Sequence, residues 1–378
     1  MNYPSTYIIY NIIMFTVVVL TAIPVYKTLY TRKNAYEQLH NDEFLVYHYL
    51  ALFIIVIVLG YRYDVGSDWS SYKSVYEHYQ SNSWMIRKGE VGFTGLTKLL
   101  QSFGLNYVWL FLSAAIIPWS LIFVSANKKL LPIILLFLFT DGFFFISMNA
   151  IRQFIAIGIF VFAIQYLRNK NIYLYFLSIF IAISFHSSAV ILLPLYFLPY
   201  GKLNNRYIWL AIILGSFLFR LSPLTINFME SAIRYISSFI PYLEYYLSHF
   251  DRGLFDVDGV NSTGLGDMFR IALVFILLFF HNTVIRKYPE ARMYLLFTYF
   301  GATLSNLFYS IDAMIRVNYY FEIMRSFALA YLFVTLMNGK NEIYRILVIG
   351  IVLGYMLIYY IIIEQSFALC SPYNYFIP

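Results

Sequence analysis

Eleven long apolar runs, parted by short connections in which lysines and arginines collect, leave this chain few folds to choose from. The runs fall at residues 6–29, 44–60, 107–124, 130–147, 151–167, 172–199, 207–221, 268–285, 293–311, 319–337 and 343–363. With 61% hydrophobic and 12% charged residues, a chain of 378 has too little polar surface to coat a soluble globule. Most runs approach the roughly 20 residues a helix needs to cross a bilayer. The prediction is an all-α polytopic membrane protein, one integral membrane domain over 1–378 with no separate soluble domain. The first run has no Lys or Arg before Lys27 and no small-residue cleavage site, so it reads as a helix and not as a signal peptide. A net charge of +7 would suggest nucleic acid in a soluble protein, but here the bases sit in loops and report topology. The single cysteine, Cys370, excludes an internal disulfide framework and a cysteine metal cluster.

Counting bases in the connections sets an orientation. Lys27, Arg32 and Lys33 follow the first run and place that loop in the cytoplasm, with the N-terminus outside; Lys128, Lys129, Arg168 and Lys170 follow at the proper alternation. Continuing 172–199 as one helix would strand Lys202, Arg206, Arg286, Lys287, Arg292, Lys340 and Arg345 outside. Splitting it near His186, with Pro194 disturbing the second half, returns all seven to the inside. This predicts about 12 crossing or dipping segments, two of them half-crossings that meet around 185–188, and both termini external. Half-crossings persist only where protein or water satisfies their backbone groups.

Two long connections, about 61–106 and 222–267, then lie outside. The first opens with YRYDVGSDWSSY, where Gly66 permits a turn that can gather Asp64 and Asp68 near Arg62; a solvated helix-capping turn is the plainer reading. Trp84, Arg87, Lys88 and Glu90 follow, then an amphipathic stretch at 93–103 suited to an interface. The second ends in DRGLFDVDGVNSTGLGD, whose Asp251, Asp256, Asp258 and Asp267 lack the alternation and terminal Glu of an EF-hand; a solvated substrate-facing or lid loop fits better.

Charge at membrane depth costs about 2.5–3.5 kcal/mol per residue on insertion scales, so such residues are functional candidates. Arg152 and Gln153 stand at the external start of the fifth run, and Arg316 has Tyr319 and Tyr320 on its own helical face. Glu322 and Arg325 are spaced to pair, and Arg220 and Arg270 to snorkel. Asp141, if its run is one helix, lies about 12 Å deeper than Asn149. Arg62, Arg152 and Arg316 thus gather on the external face with Asp64, Asp68, Glu90, His186 and several tyrosines. Guanidinium groups at an external surface suit a phosphorylated, lipid-linked substrate, and aromatic rings suit sugar faces. Walker, HExxH and Gly-x-Ser-x-Gly patterns are absent.

The ordered motifs R-x-D-V-G-S-D-x-x-x-Y (Arg62 to Tyr72), E-V-G-F (Glu90 to Phe93), I-R-Q-x-x-A (Ile151 to Ala156), F-H-S-S-A (Phe185 to Ala189) and R-x-x-Y-Y (Arg316 to Tyr320) resemble the EpsG family of Wzy-type polysaccharide polymerases. The resemblance implies a GT-C-like architecture with two large periplasmic loops. It also implies a metal-independent glycosyltransferase of the bacterial inner membrane, without cofactor, working at the periplasmic face. Its partners would be undecaprenyl-diphosphate-linked oligosaccharides, membrane lipids and a chain-length regulator, with no nucleic acid. Under that reading Arg152 and Arg316 hold the diphosphate, with Gln153, Tyr72, Tyr319 and Tyr320 around the substrate. Arg62 is a third contributor or the residue that holds Asp64 and Asp68. Glu90 and Asp68 rank together as the base, ahead of His186 and Asp64, and His186 has an equal reading as a buried hydrogen-bonded residue. A lipid-linked oligosaccharide flippase or an O-antigen ligase are the rival readings, and a membrane-bound acyltransferase is weaker. A flippase would show symmetric halves, which this sequence lacks.

Overall fold

The computed structural model describes residues 4–30, 44–78, 89–222, 231, 234–235, 264–309, 312–339 and 341–375. Trp84, Arg87, Lys88 and the aspartates at 251, 256 and 258 lie outside them. The described residues are helical apart from connections and one antiparallel bridge, Arg62 to Tyr375. Six helices are long and apolar enough to cross a membrane, or seven if one bent pair counts as a span. Several remaining apolar helices fall short of the roughly 20 residues a crossing needs, being 14 to 16 residues long. The chain divides into two compact units, Met1–Leu198 with Leu336–Pro378, and Pro199–Thr335.

In the first unit, α1 (Pro4–Tyr30) packs on α2 (Val46–Gly60), followed by short α3 (Trp69–Glu77) and α4 (Val91–Ser102). The stretch expected at the interface is therefore α4, and it exposes Val91 and Leu99, with Phe103 just beyond it. Next come α5 (Tyr107–Ser125), α6 (Leu131–Thr140), α7 (Phe143–Asn149), α8 (Ile151–Arg168) and α9 (Ile172–Phe185). α8 is apolar on every side and almost wholly buried, the pattern of a helix enclosed by others, here α5, α9 and α7. Gly158 makes the closest of these approaches possible, since a Cβ there would lie 2.5 Å from Pro118 Cα on α5. Gly158→Val is expected to cost about 1–3 kcal/mol by overpacking, read as a lower thermal midpoint in detergent. An unchanged midpoint would mean that the two backbones are not in contact.

Two expectations about this unit change. The run 130–147 is not one helix: it breaks at Asp141 and Gly142, with Gly142 left-handed at φ 94°, and α6 and α7 meet at a bend of 64°. Asp141 is thus a buried C-cap residue at a corner, not an acid part-way down a straight helix. Lys128, in the connection before α6, is buried, and its Nζ donates to the carbonyls of Phe123 (2.7 Å), Ala126 (3.0 Å) and Val124 (3.3 Å), closing the C-terminal end of α5.

The split near His186 holds as geometry. α9 ends at Phe185, His186 is extended (φ −152°, ψ 119°), and Ser187–Phe197 continues as a 3-10 helix around Pro194. The two arms fold back on each other: Tyr175 donates to the Leu192 carbonyl (2.6 Å) and Tyr196 to that of Lys170 (2.7 Å). Their lengths match, about 21 Å for 14 α-helical residues and about 22 Å for 11 in a 3-10 helix. The result is a closed hairpin with His186 at its tip.

The second unit holds α10 (Arg206–Arg220), α11 (Leu265–Lys287), α12 (Arg292–Leu307), α13 (Asp312–Glu322) and most of α14 (Met324–Met337). The run expected to begin at 319 begins earlier, so Arg316 lies inside α13, with 314–337 one candidate span. Polar groups, buried and half-buried, meet one another here. Glu322 accepts from Ser305 Oγ (2.7 Å) and Asn318 Nδ2 (3.2 Å), and Asn318 also donates to the Gly301 carbonyl (2.9 Å). The last helix, α15 (Glu342–Glu364), returns to the first unit and packs on α6.

Candidate functional site

The site is assembled from the connection after α2. Arg62 there is 2% exposed, and its guanidinium donates to backbone: Nε to Val65 (3.2 Å), Nη2 to Met148 (2.8 Å) and Nη1 to Leu59. It also lies 4.5 Å from the centre of the Phe111 ring. Burial draws it down to about 10, so it stays charged at neutral pH. The Arg62 carbonyl accepts from Trp69 Nε1 (3.1 Å), and the Trp69 indole stacks on Phe111. Arg62 therefore clamps α2, the turn and the end of α7 together.

Gly66 (φ 103°) sits against Asn149, whose Oδ1 would be 2.8 Å from an added Cβ, and Ser67 Oγ donates to the same oxygen (3.1 Å). The stretch after α15 closes the turn from the other side. Gly66 N–H donates to the Leu369 carbonyl (2.9 Å), Ser67 N–H to Ala368 (2.9 Å) and Tyr63 N–H to Asn374 (3.0 Å). Nothing in the residue pattern of that tail distinguishes it, and its contacts lie some 300 residues away in sequence.

This scaffold aims Tyr72 inward. Tyr72 is buried one helical step beyond Trp69, and its hydroxyl accepts from Arg152 Nε (3.2 Å). Arg152 and Gln153 occupy the first turn of α8 and are both buried. A cation at the positive end of a helix dipole is disfavoured without a counter-charge. Glu90 supplies it: its side chain is 0% exposed, and Oε2 takes an ion pair from Arg152 Nη1. Oε1 faces His186 Nδ1 at 2.8 Å and accepts from Ser187 N–H at 3.4 Å. Glu90 is also the N-cap residue of α4, where the dipole favours an anion. Gly92 lets α4 meet the hairpin, since a Cβ there would fall 2.3 Å from Ser184 Oγ.

An ionised carboxylate only accepts hydrogen bonds, so Nδ1 of His186 is assigned as the donor. The His186 side chain is 20% exposed, whereas Glu90 is sealed. The arrangement is a buried acid that orients an imidazole, beside a guanidinium.

The structure thus joins Glu90, His186, Arg152 and Tyr72, with Gln153 next in the same helical turn. Asp64 is exposed with φ 52°, and Asp68 is the half-buried N-cap residue of α3; among the described residues neither is bonded to that group or to Arg62. Arg316 (exposed), Tyr319 (half-buried) and Tyr320 (buried) belong to the second unit. Sequence reasoning missed the roles of Met148 and Asn149 as anchors. Asn149 was visible only as a polar residue before the Arg152 motif.

The helices and this site define a polytopic membrane protein with a buried acid–imidazole–guanidinium constellation. The chain belongs to the EpsG family, whose model matches residues 45–375. Membership makes it a polysaccharide-polymerase-like, glycosyltransferase-like membrane protein. None of the curated proteins matches the chain, and none of the solved structures does.

Proposed function

We propose that this protein is an O-antigen or exopolysaccharide polymerase, moving a glycan from undecaprenyl diphosphate onto the sugar of a new lipid-linked repeat unit at the periplasmic face of the inner membrane. The observation that carries this reading is Glu90 held between Arg152 and His186 Nδ1 (2.8 Å), in a family of polymerase-like proteins. In the transfer, an acceptor hydroxyl attacks the anomeric carbon of the donor. A new C–O bond forms, the anomeric C–O bond to diphosphate breaks, and undecaprenyl diphosphate departs with the electron pair.

For an inverting displacement the hydroxyl proton passes to a base, and His186 Nε2 is assigned that role. Burial supports His186 over Glu90, because a carboxylate with no exposed side-chain surface reaches a substrate hydroxyl less readily than an imidazole at a hairpin tip. Glu90 then orients the ring and stabilises its cation. Arg152, with Gln153 beside it and Tyr72 fixing its Nε edge, faces the diphosphate, where a charge-assisted pair outweighs a neutral one. Asp64 and Asp68 are assigned to sugar hydroxyls, and Arg316, Tyr319 and Tyr320, on α13 of the second unit, remain proposed substrate-binding residues. Arg62 is a positioning residue, since its donors are engaged by carbonyls. The leaving charge is met by guanidinium groups and not by a metal.

The test is complementation of a strain that lacks its own polymerase and makes the matching repeat unit. The gene is expected to restore a ladder of many repeats, and its loss to leave single repeats on the lipid. Loss that leaves no repeat at all would identify a ligase, and repeat units trapped on the inner leaflet would identify a flippase.

A further inference from the structure

One corner of the second unit gathers positive charge that the transfer reaction does not use. His281, fully buried in α11, meets the Asn204 carbonyl through Nε2 (2.9 Å) and the Tyr299 hydroxyl through Nδ1 (3.2 Å). It therefore ties the start of α10, the end of α11 and the first turns of α12 together. Arg206, the first residue of α10, donates through Nη1 to the Phe279 carbonyl (3.2 Å) and through Nη2 to the Tyr207 hydroxyl (3.0 Å). Arg292 is the first residue of α12, the helix that packs on both α10 and α11. Lys202, just before α10, and Arg286 and Lys287, at the end of α11, are exposed.

Two features set this corner apart from an ordinary solvated basic loop. The Nε atoms of Arg206 and Arg292 are buried and have no hydrogen-bond partner. Arg292 makes no hydrogen bond or ion pair with any described residue, and Glu290 does not neutralise it. A buried donor left unsatisfied is destabilising, the more so when it is charged. Both arginines also begin helices, where the dipole opposes a cation unless an anion is close. The surface beside Arg206 is apolar, with Phe279 69% and Tyr207 63% exposed. An anion with a hydrocarbon tail would satisfy both surfaces at once.

We infer that this corner of α10, α11 and α12 binds the phosphate of an anionic membrane lipid through Arg206 and Arg292, with the acyl chains along Phe279 and Tyr207. The site is separate from the Glu90 group and independent of the transfer chemistry assigned to it.

The test uses the purified full chain in detergent, with thermal stability and native mass spectrometry as readouts. The additives are phosphatidylglycerol, phosphatidylcholine and inorganic phosphate. Phosphatidylglycerol is expected to raise the thermal midpoint and stay bound, with phosphatidylcholine and inorganic phosphate doing neither. The Arg206→Gln/Arg292→Gln pair is expected to weaken phosphatidylglycerol binding by about tenfold. Arg286→Gln/Lys287→Gln, which removes as much charge from exposed positions, should weaken it by less than about twofold. Equal stabilisation by the two lipids, full stabilisation by inorganic phosphate alone, or unchanged lipid binding in the Arg206/Arg292 pair would each overturn the assignment. Should that pair fail to fold, the three additives compared on the unaltered chain still decide it.

Discussion

His186→Asn is expected to reduce polymer formation by about 10²–10⁴-fold, the usual contribution of a positioned general base, while leaving the fold intact. The asparagine amide can still donate to Glu90 Oε1, as Nδ1 of His186 does at 2.8 Å, but it offers nothing basic where Nε2 stood. The substitution thus separates a histidine that removes a proton from one that only completes a buried hydrogen bond. Initial rates on lipid-linked repeat units, with thermal midpoints measured alongside, check it. A variant that keeps more than a tenth of the rate would reassign the base.

The second large effect concerns the ion pair. Arg152→Met leaves the Glu90 carboxylate sealed in protein without its strongest counter-charge, a loss of about 3–5 kcal/mol for one broken partner of a buried pair. Glu90→Gln leaves the Arg152 guanidinium in the same position. Both single variants are expected to accumulate poorly or melt early. The double variant, Arg152→Met with Glu90→Gln, removes both charges and should recover much of the stability, because coupled neighbours are not additive. It should recover no activity. A double variant that makes polymer would show that the pair is architectural only, and additive losses would show that the two side chains do not share a charge.

How much of this was legible beforehand differs from element to element. The helical runs are a property of composition along the chain, and so could be read directly. So could the break at His186, because an unbroken run put seven bases on the wrong side. The corner at Asp141 and Gly142 was hidden, since an apolar helix bent by 64° has the same hydropathy as a straight one. Within the site, residue types marked out Glu90, Arg152 and His186, but ranked Asp68 equal to Glu90. What separates those two acids is burial and long-range contact: Glu90 meets residues 62 and 96 positions away, which one sequence does not reveal. Arg62 was readable as a guanidinium near acids, yet its partners are carbonyls, and backbone carbonyls leave no trace in residue identity.

The tail that lies along the Arg62 turn has an evolutionary consequence. Backbone atoms of residues 368, 369 and 374 complete the hydrogen bonds of residues 63, 66 and 67, so two distant stretches of the sequence form one piece of architecture. Recombination that brings in a foreign amino-terminal half while retaining the native carboxyl-terminal end would splice together mismatched surfaces. Family members that exchange segments are therefore expected to exchange internal ones and to inherit this turn and tail as a pair.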